Sequence, residues 1–134
     1  MKEVTLSYYE TPERSESFSV AIGYEGVLVF NEGTYYPALC DCEERELDYY
    51  ITVAASHKAQ LLALLLQHCT TSGVDCTQFE TTETTVDSDD IDERLLAVLQ
   101  LLYNHGQLRY LDVVERWLTT QKIPFKKSDW LVIG

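Results

Sequence analysis

The segment Leu47–Cys69, LDYYITVAASHKAQLLALLLQHC, constrains the chain more than any other, because a strand pattern runs directly into the most apolar helix pattern in the sequence. In Leu47–Ala54 the β-branched and aromatic residues Tyr49, Tyr50, Ile51, Thr52 and Val53 cluster, which favours a pleated surface with at least one buried face. Ser56 is a candidate helix cap. After it, Leu61, Leu62, Leu65, Leu66 and Cys69 recur at spacings of three and four, with Leu64 widening the apolar sector. Such a helix needs a sheet to cover it. The 134 residues make one domain by size, enough to bury about two-thirds of the unfolded surface around a single core.

Upstream, Val4–Tyr9 and Phe18–Ile22 have strand composition and are separated by the polar link Glu10–Ser17, which contains Pro12; together they predict a hairpin. Gly23-Tyr24-Glu25-Gly26 punctuates the chain before Val27–Phe30, and Asn31-Glu32-Gly33 offers positive-φ candidates before Thr34-Tyr35-Tyr36, so an antiparallel meander is expected. Pro37 disfavours a central strand, which places Asp41–Asp48 at a turn or sheet edge. Downstream, Thr70–Gly73 ends the first helix, and Thr77–Ser88 reads as an exposed strand or loop. Asp90-Ile91-Asp92-Glu93 resembles a capping box with Asp90 as the cap, followed by the apolar stripe Ile91, Leu95, Val98, Leu99 and Leu102 and a stop at Gly106. A third helix spans about Leu108 to Lys122, with Leu111, Val114, Trp117, Leu118 and Gln121 on one side, and Trp130–Ile133 reads as a last strand or an ordered arm. The expected class is α+β: a mostly antiparallel sheet from the N-terminal half with about three helices on one face.

Several function classes lack support. The longest apolar run, Leu61–Leu66, falls far short of the roughly 20 residues a bilayer span needs, and MKEVTLSYYE has no signal-peptide apolar region, so a cytoplasmic protein is expected. Cys40, Cys42, Cys69 and Cys76 read as free thiols in a reducing compartment. His57, His68 and His105 stand far apart and outside any HExxH, and the chain has no GxSxG, Walker loop or GxGxxG; neither catalysis nor a cofactor is expected. Cys40-x-Cys42 with His68 and Cys69 matches no usual zinc spacing, so no metal is expected either. Lys126-Lys127 is the only basic pair, which disfavours direct nucleic-acid binding.

Charge is the informative feature. The net charge is -12, and Asp41–Asp48 holds five acids against Arg45 while Glu80–Glu93 holds seven acids and no base. Those stretches contribute -4 and -7, leaving -1 for everything else. Gathering like charge opposes folding through self-repulsion. It is explained either by solubility and helix capping, or by a surface complementary to a basic partner. The nine tyrosines include the pairs Tyr8-Tyr9, Tyr35-Tyr36 and Tyr49-Tyr50, each placing one ring on either face of a strand. A tyrosine beside carboxylates suits an interface, since the ring contributes area and the hydroxyl a hydrogen bond; packing on the sheet is the competing use. The candidate partner-binding set is Tyr36, Asp41, Glu43, Glu44, Glu46, Asp48 and Tyr49, then Glu80, Glu83, Asp87 and Asp89.

The tract Leu47–Val53 leading into a leucine-rich helix, and the ending Val114-x-x-Trp117-Leu118…Ile123-Pro124-Phe125…Trp130, in a small acidic chain of strands followed by helices, look like bacterial immunity proteins. These include the antidotes of contact-dependent growth inhibition systems. The resemblance lies in the general make-up of most of the chain and assigns no binding residue position by position. It implies a non-enzymatic protein that binds a cognate, basic toxin domain, often a nuclease, and covers its active or substrate-binding surface. The alternatives are a regulatory or structural domain whose acidity serves solubility, and a small hydrolase.

Overall fold

Alternation of apolar and polar residues builds the sheet. The computed structural model describes residues 2–37, 44–76 and 88–133, with 2, 88–90 and 130–133 described by backbone alone. Strands β1 (Lys2–Glu10) and β2 (Ser15–Ile22) form the expected hairpin, closed by a turn in which the Thr11 hydroxyl accepts a hydrogen bond from the Arg14 N–H at 3.1 Å. Strands β3 (Leu28–Tyr36) and β4 (Arg45–Val53) continue the meander, and β5 (Lys126–Ile133) returns from the C-terminal end to pair with β4. Among the described residues the sheet has five strands in the order β1-β2-β3-β4-β5, every neighbouring pair antiparallel. The tail is thus a strand.

Helices α1 (Lys58–Thr71), α2 (Ser88–Asn104) and α3 (Leu111–Thr120) complete an α+β fold. Register places Val20, Phe30 and Ile51 side by side, and Ile22, Leu28 and Val53 beside them, all buried on one face of the sheet. α2 lies against β1 and β2, α3 against β3 and β4, and α1 packs on α2. Leu61, Leu65, Cys69, Leu95, Val98, Leu102, Val114 and Leu118 join the strand residues in one core. The opposite face is polar along its middle, with Ser17, Ser19, Asn31, Asp48 and Tyr50 in register.

Five expectations are corrected. Asn31-Glu32-Gly33 is not a turn, because β3 runs unbroken through it; Gly33 is needed where the Asp48 carboxylate crosses the strand, an added Cβ lying 2.6 Å from Asp48 Oδ1. Arg45–Asp48 lies in β4, inside the sheet and not at a turn or edge, since β5 covers its far side. Ser56 is not a cap: it sits in a 3-10 turn, Ala55–His57, whose His57 N–H bonds to the Ala54 carbonyl at 3.0 Å, so the backbone satisfies itself. Asp90 lies within the first turn of α2, which begins at Ser88. Gly106 does end α2, at φ 81°, with the Gln107 N–H reaching the Leu102 carbonyl at 2.8 Å. α3 starts at Leu111 and not Leu108, whose φ of 52° is incompatible with a helix. The expected strand or loop Thr77–Ser88 lies outside the described residues except for Ser88, which begins α2 instead.

Candidate binding surface at the hairpin end of the sheet

At the end of the sheet carrying the β1–β2 turn, strands continue past the core. On the helix-bearing side, register aligns Ser7, Phe18, Glu32 and Tyr49 in one row and Tyr9, Glu16, Thr34 and Leu47 in the next. The last turn of α2 sits over the first row, with the Tyr103 ring 6.3 Å from Phe18. α3 begins there too, because its Leu111 N–H donates to Glu32 Oε2 at 3.2 Å and Tyr110 gives the helix no side-chain cap. Glu32 thus does from β3 what a local cap residue ordinarily does.

The connection between the two helices is held by a strained residue. Leu108 in the left-handed region costs about 1–2 kcal/mol, offset by burying its side chain, worth about 1.5–3 kcal/mol. Its turn delivers Arg109 and Tyr110 to the sheet. Arg109 Nε donates to the Tyr103 carbonyl at 2.9 Å, and the guanidinium stacks 5.1 Å from the Tyr103 ring centre. Tyr103, Arg109 and Tyr110 therefore wall a cleft of about 260 Å³ whose floor includes Tyr9, Glu16, Phe18, Glu32 and Thr34.

The other face at this end is acidic. Asp48, two residues from Glu46 on the same face of β4, raises the Glu46 carboxyl above its ordinary range, through side-chain hydrogen bonding first and then through its charge, with lesser contributions from burial and Glu44. Asp48 Oδ1 also accepts from Asn31 Nδ2 at 3.2 Å. No lysine or arginine among the described residues pairs with either carboxylate. Hydrogen bonding to Glu44 is the first cause that raises the Tyr35 phenol, followed by burial and the Glu44 and Glu46 charges, and Tyr50 is raised by burial first and then by Asp48 and Glu46.

Of the sequence-derived set, Tyr36, Glu44, Glu46, Asp48 and Tyr49 gather at this one end but on two sides. Glu46 and Asp48 lie on the polar face; Tyr36 and Tyr49 lie on the helix-bearing side, Tyr36 beneath the Arg45 guanidinium at 5.0 Å and Tyr49 47% exposed. Asp89 falls in the first turn of α2, and Asp41, Glu43, Glu80, Glu83 and Asp87 lie outside the described residues. Asp92, from the second acidic stretch, is internal: it holds Lys58 Nζ at 2.5 Å with side chains 9% and 7% exposed. Sequence reasoning missed Tyr9, Glu16, Glu32, Tyr103, Arg109 and Tyr110, which β1, β2, β3 and the α2–α3 turn bring together. Period-two alternation carried unbroken through Asn31-Glu32-Gly33 would have aligned the strand members of that group.

Comparison with protein-family models, curated proteins and solved structures found no match to the chain. Among the described residues no cluster of three or more His, Cys, Asp or Glu is placed to hold a metal ion, and no helix is long and apolar enough to cross a membrane.

Proposed function

We propose that the protein is a non-enzymatic immunity or inhibitor protein of the cytoplasm, which binds a basic toxin domain, such as a nuclease, through the hairpin end of its sheet and covers the toxin's active or substrate-binding surface. The Glu46–Asp48 pair carries this reading. The two carboxylates lie two residues apart on one face, neither paired with a lysine or arginine among the described residues, and a partner's cation would relieve the repulsion between them when both are ionised. Tyr35 and Tyr49, 37% and 47% exposed, flank the pair with aromatic area on either side of the sheet.

The test uses the basic C-terminal domain of a secreted protein encoded beside this chain, and compares association of the wild type with Glu44→Lys/Glu46→Lys. The double variant is expected to associate about tenfold more slowly at low salt and to lose most of its salt dependence. Unchanged kinetics remove the acidic face from the interface.

A further inference from the structure

We infer that the cleft between the α2–α3 turn and the sheet receives an arginine side chain of the basic partner proposed above, a step that rests on that reading. The lining suits a guanidinium. Tyr9, Tyr103 and Tyr110 line it, with Tyr9 and Tyr110 58% and 63% exposed, and Glu16 and Glu32 bring two carboxylates to its floor, with Arg109 the one cation in the lining and Arg14 beside Glu16. Glu32 uses only Oε2 to cap α3, and Oε1 accepts no hydrogen bond among the described residues. Among the described residues Glu16 is held only by a half-exposed contact with Arg14 at 3.5 Å. Arg109 is already committed, its Nε to a carbonyl and its plane to Tyr103. Tyrosines at this end stack guanidinium groups twice within the chain itself, Arg109 on Tyr103 and Arg45 on Tyr36.

Size points to a side chain. At about 260 Å³ the cleft is below the range of about 300–1,000 Å³ typical of small-molecule and cofactor sites, yet it is open enough for one long residue to enter from a partner's surface. Arginine satisfies both features of the site at once. Its fork of donors can span Glu16 and Glu32 while its plane lies between the rings of Tyr9 and Tyr110, an arrangement that lysine, a point charge, cannot reproduce.

The test is a titration of the full chain with N-acetyl-arginine N-methylamide, followed through the tyrosine ring resonances by NMR, with the neutral citrulline analogue as control. The arginine derivative is expected to shift Tyr9, Tyr103 and Tyr110 saturably, and citrulline to bind at least about threefold more weakly. Tyr110→Ala, which removes an exposed ring that makes no capping bond, and Glu16→Gln should each weaken binding to a similar degree. Equal shifts with citrulline would overturn the inference, as would arginine shifts confined to Tyr35 and Tyr50 on the acidic face. That second result would leave the basic-partner reading standing. Arginine binding in the cleft with unchanged partner kinetics for Glu44→Lys/Glu46→Lys would instead remove the acidic face and keep the cleft.

Discussion

Replacing Asp92 with alanine isolates what a buried charge pair does in this fold. Lys58 is the first residue of α1, where a cation faces the positive end of the helix, and its ammonium is buried with Asp92 of α2 at 2.5 Å. Asp92→Ala leaves that ammonium without its counter-charge, a loss worth about 3–5 kcal/mol for a buried pair. A neighbouring cleft of about 440 Å³, lined by Glu25, Gly26, Ser56 and Lys58, gives the orphaned group a route to water and places the expectation near the lower figure, about 3 kcal/mol. Against a typical domain stability of about 5–15 kcal/mol this is a large fraction, and Tm should fall by roughly 10 °C for a chain of this size. Urea unfolding followed by circular dichroism measures it, with Asp112→Ala as control. Asp112 meets Arg116 at 3.7 Å with both side chains about three-quarters exposed, so its removal should cost no more than about 1 kcal/mol. The double replacement Lys58→Met/Asp92→Leu should recover most of the loss, because no unpaired charge remains. If Asp92→Ala costs no more than the control, or the double variant is as unstable as the single, the pair does not tie α1 to α2 in the way argued.

Three further outcomes follow from particular contacts. Gly33→Ala should destabilise the protein by about 1–2 kcal/mol in urea titration by pushing Asp48 off Asn31, and Asp48→Ala in the same chain should restore most of it; a single substitution without effect would refute the crossing of carboxylate over strand. Since Asp48 raises the folded-state Glu46 carboxyl above its unfolded value, ionised Glu46 opposes folding at neutral pH, and stability is regained as pH falls through the raised pKa. Glu46→Gln should therefore raise Tm at pH 7 and flatten its slope over the weakly acidic range, whereas an unchanged Tm profile contradicts the coupling. Burial, and secondarily a hydrogen bond with Cys76, push the Cys69 thiol up to about 12; alkylation of the folded protein at pH 8, located by peptide mapping, should spare Cys69 and reach it only in urea.

Much of the architecture was legible because it depends on period. Val20, Ile22, Leu28, Phe30, Ile51 and Val53 alternate, Leu61, Leu65 and Cys69 recur at helical spacing, and both patterns bury one side only, so strands capped by helices on one face are the solution open to them. Boundaries were less legible where a distant residue decides them. Gly33 looks like turn chemistry until Asp48, fifteen positions away, is seen to fill the space its side chain would take. Ser56 looks like a cap until the backbone of Ala54 and His57 makes one unnecessary.

The candidate surface divides along the same line. That negative charge and tyrosine accompany the segment leading into β4 is readable along the chain, since composition is a local property. Folding in three dimensions sets Glu46 and Asp48 on the face away from Tyr36 and Tyr49, commits Asp92 to holding Lys58, and brings Tyr9, Glu16, Glu32, Tyr103, Arg109 and Tyr110 into one corner. The physical reason is that strand alternation separates near neighbours onto opposite faces, while antiparallel pairing and the α2–α3 turn join residues as far apart as Tyr9 and Tyr110.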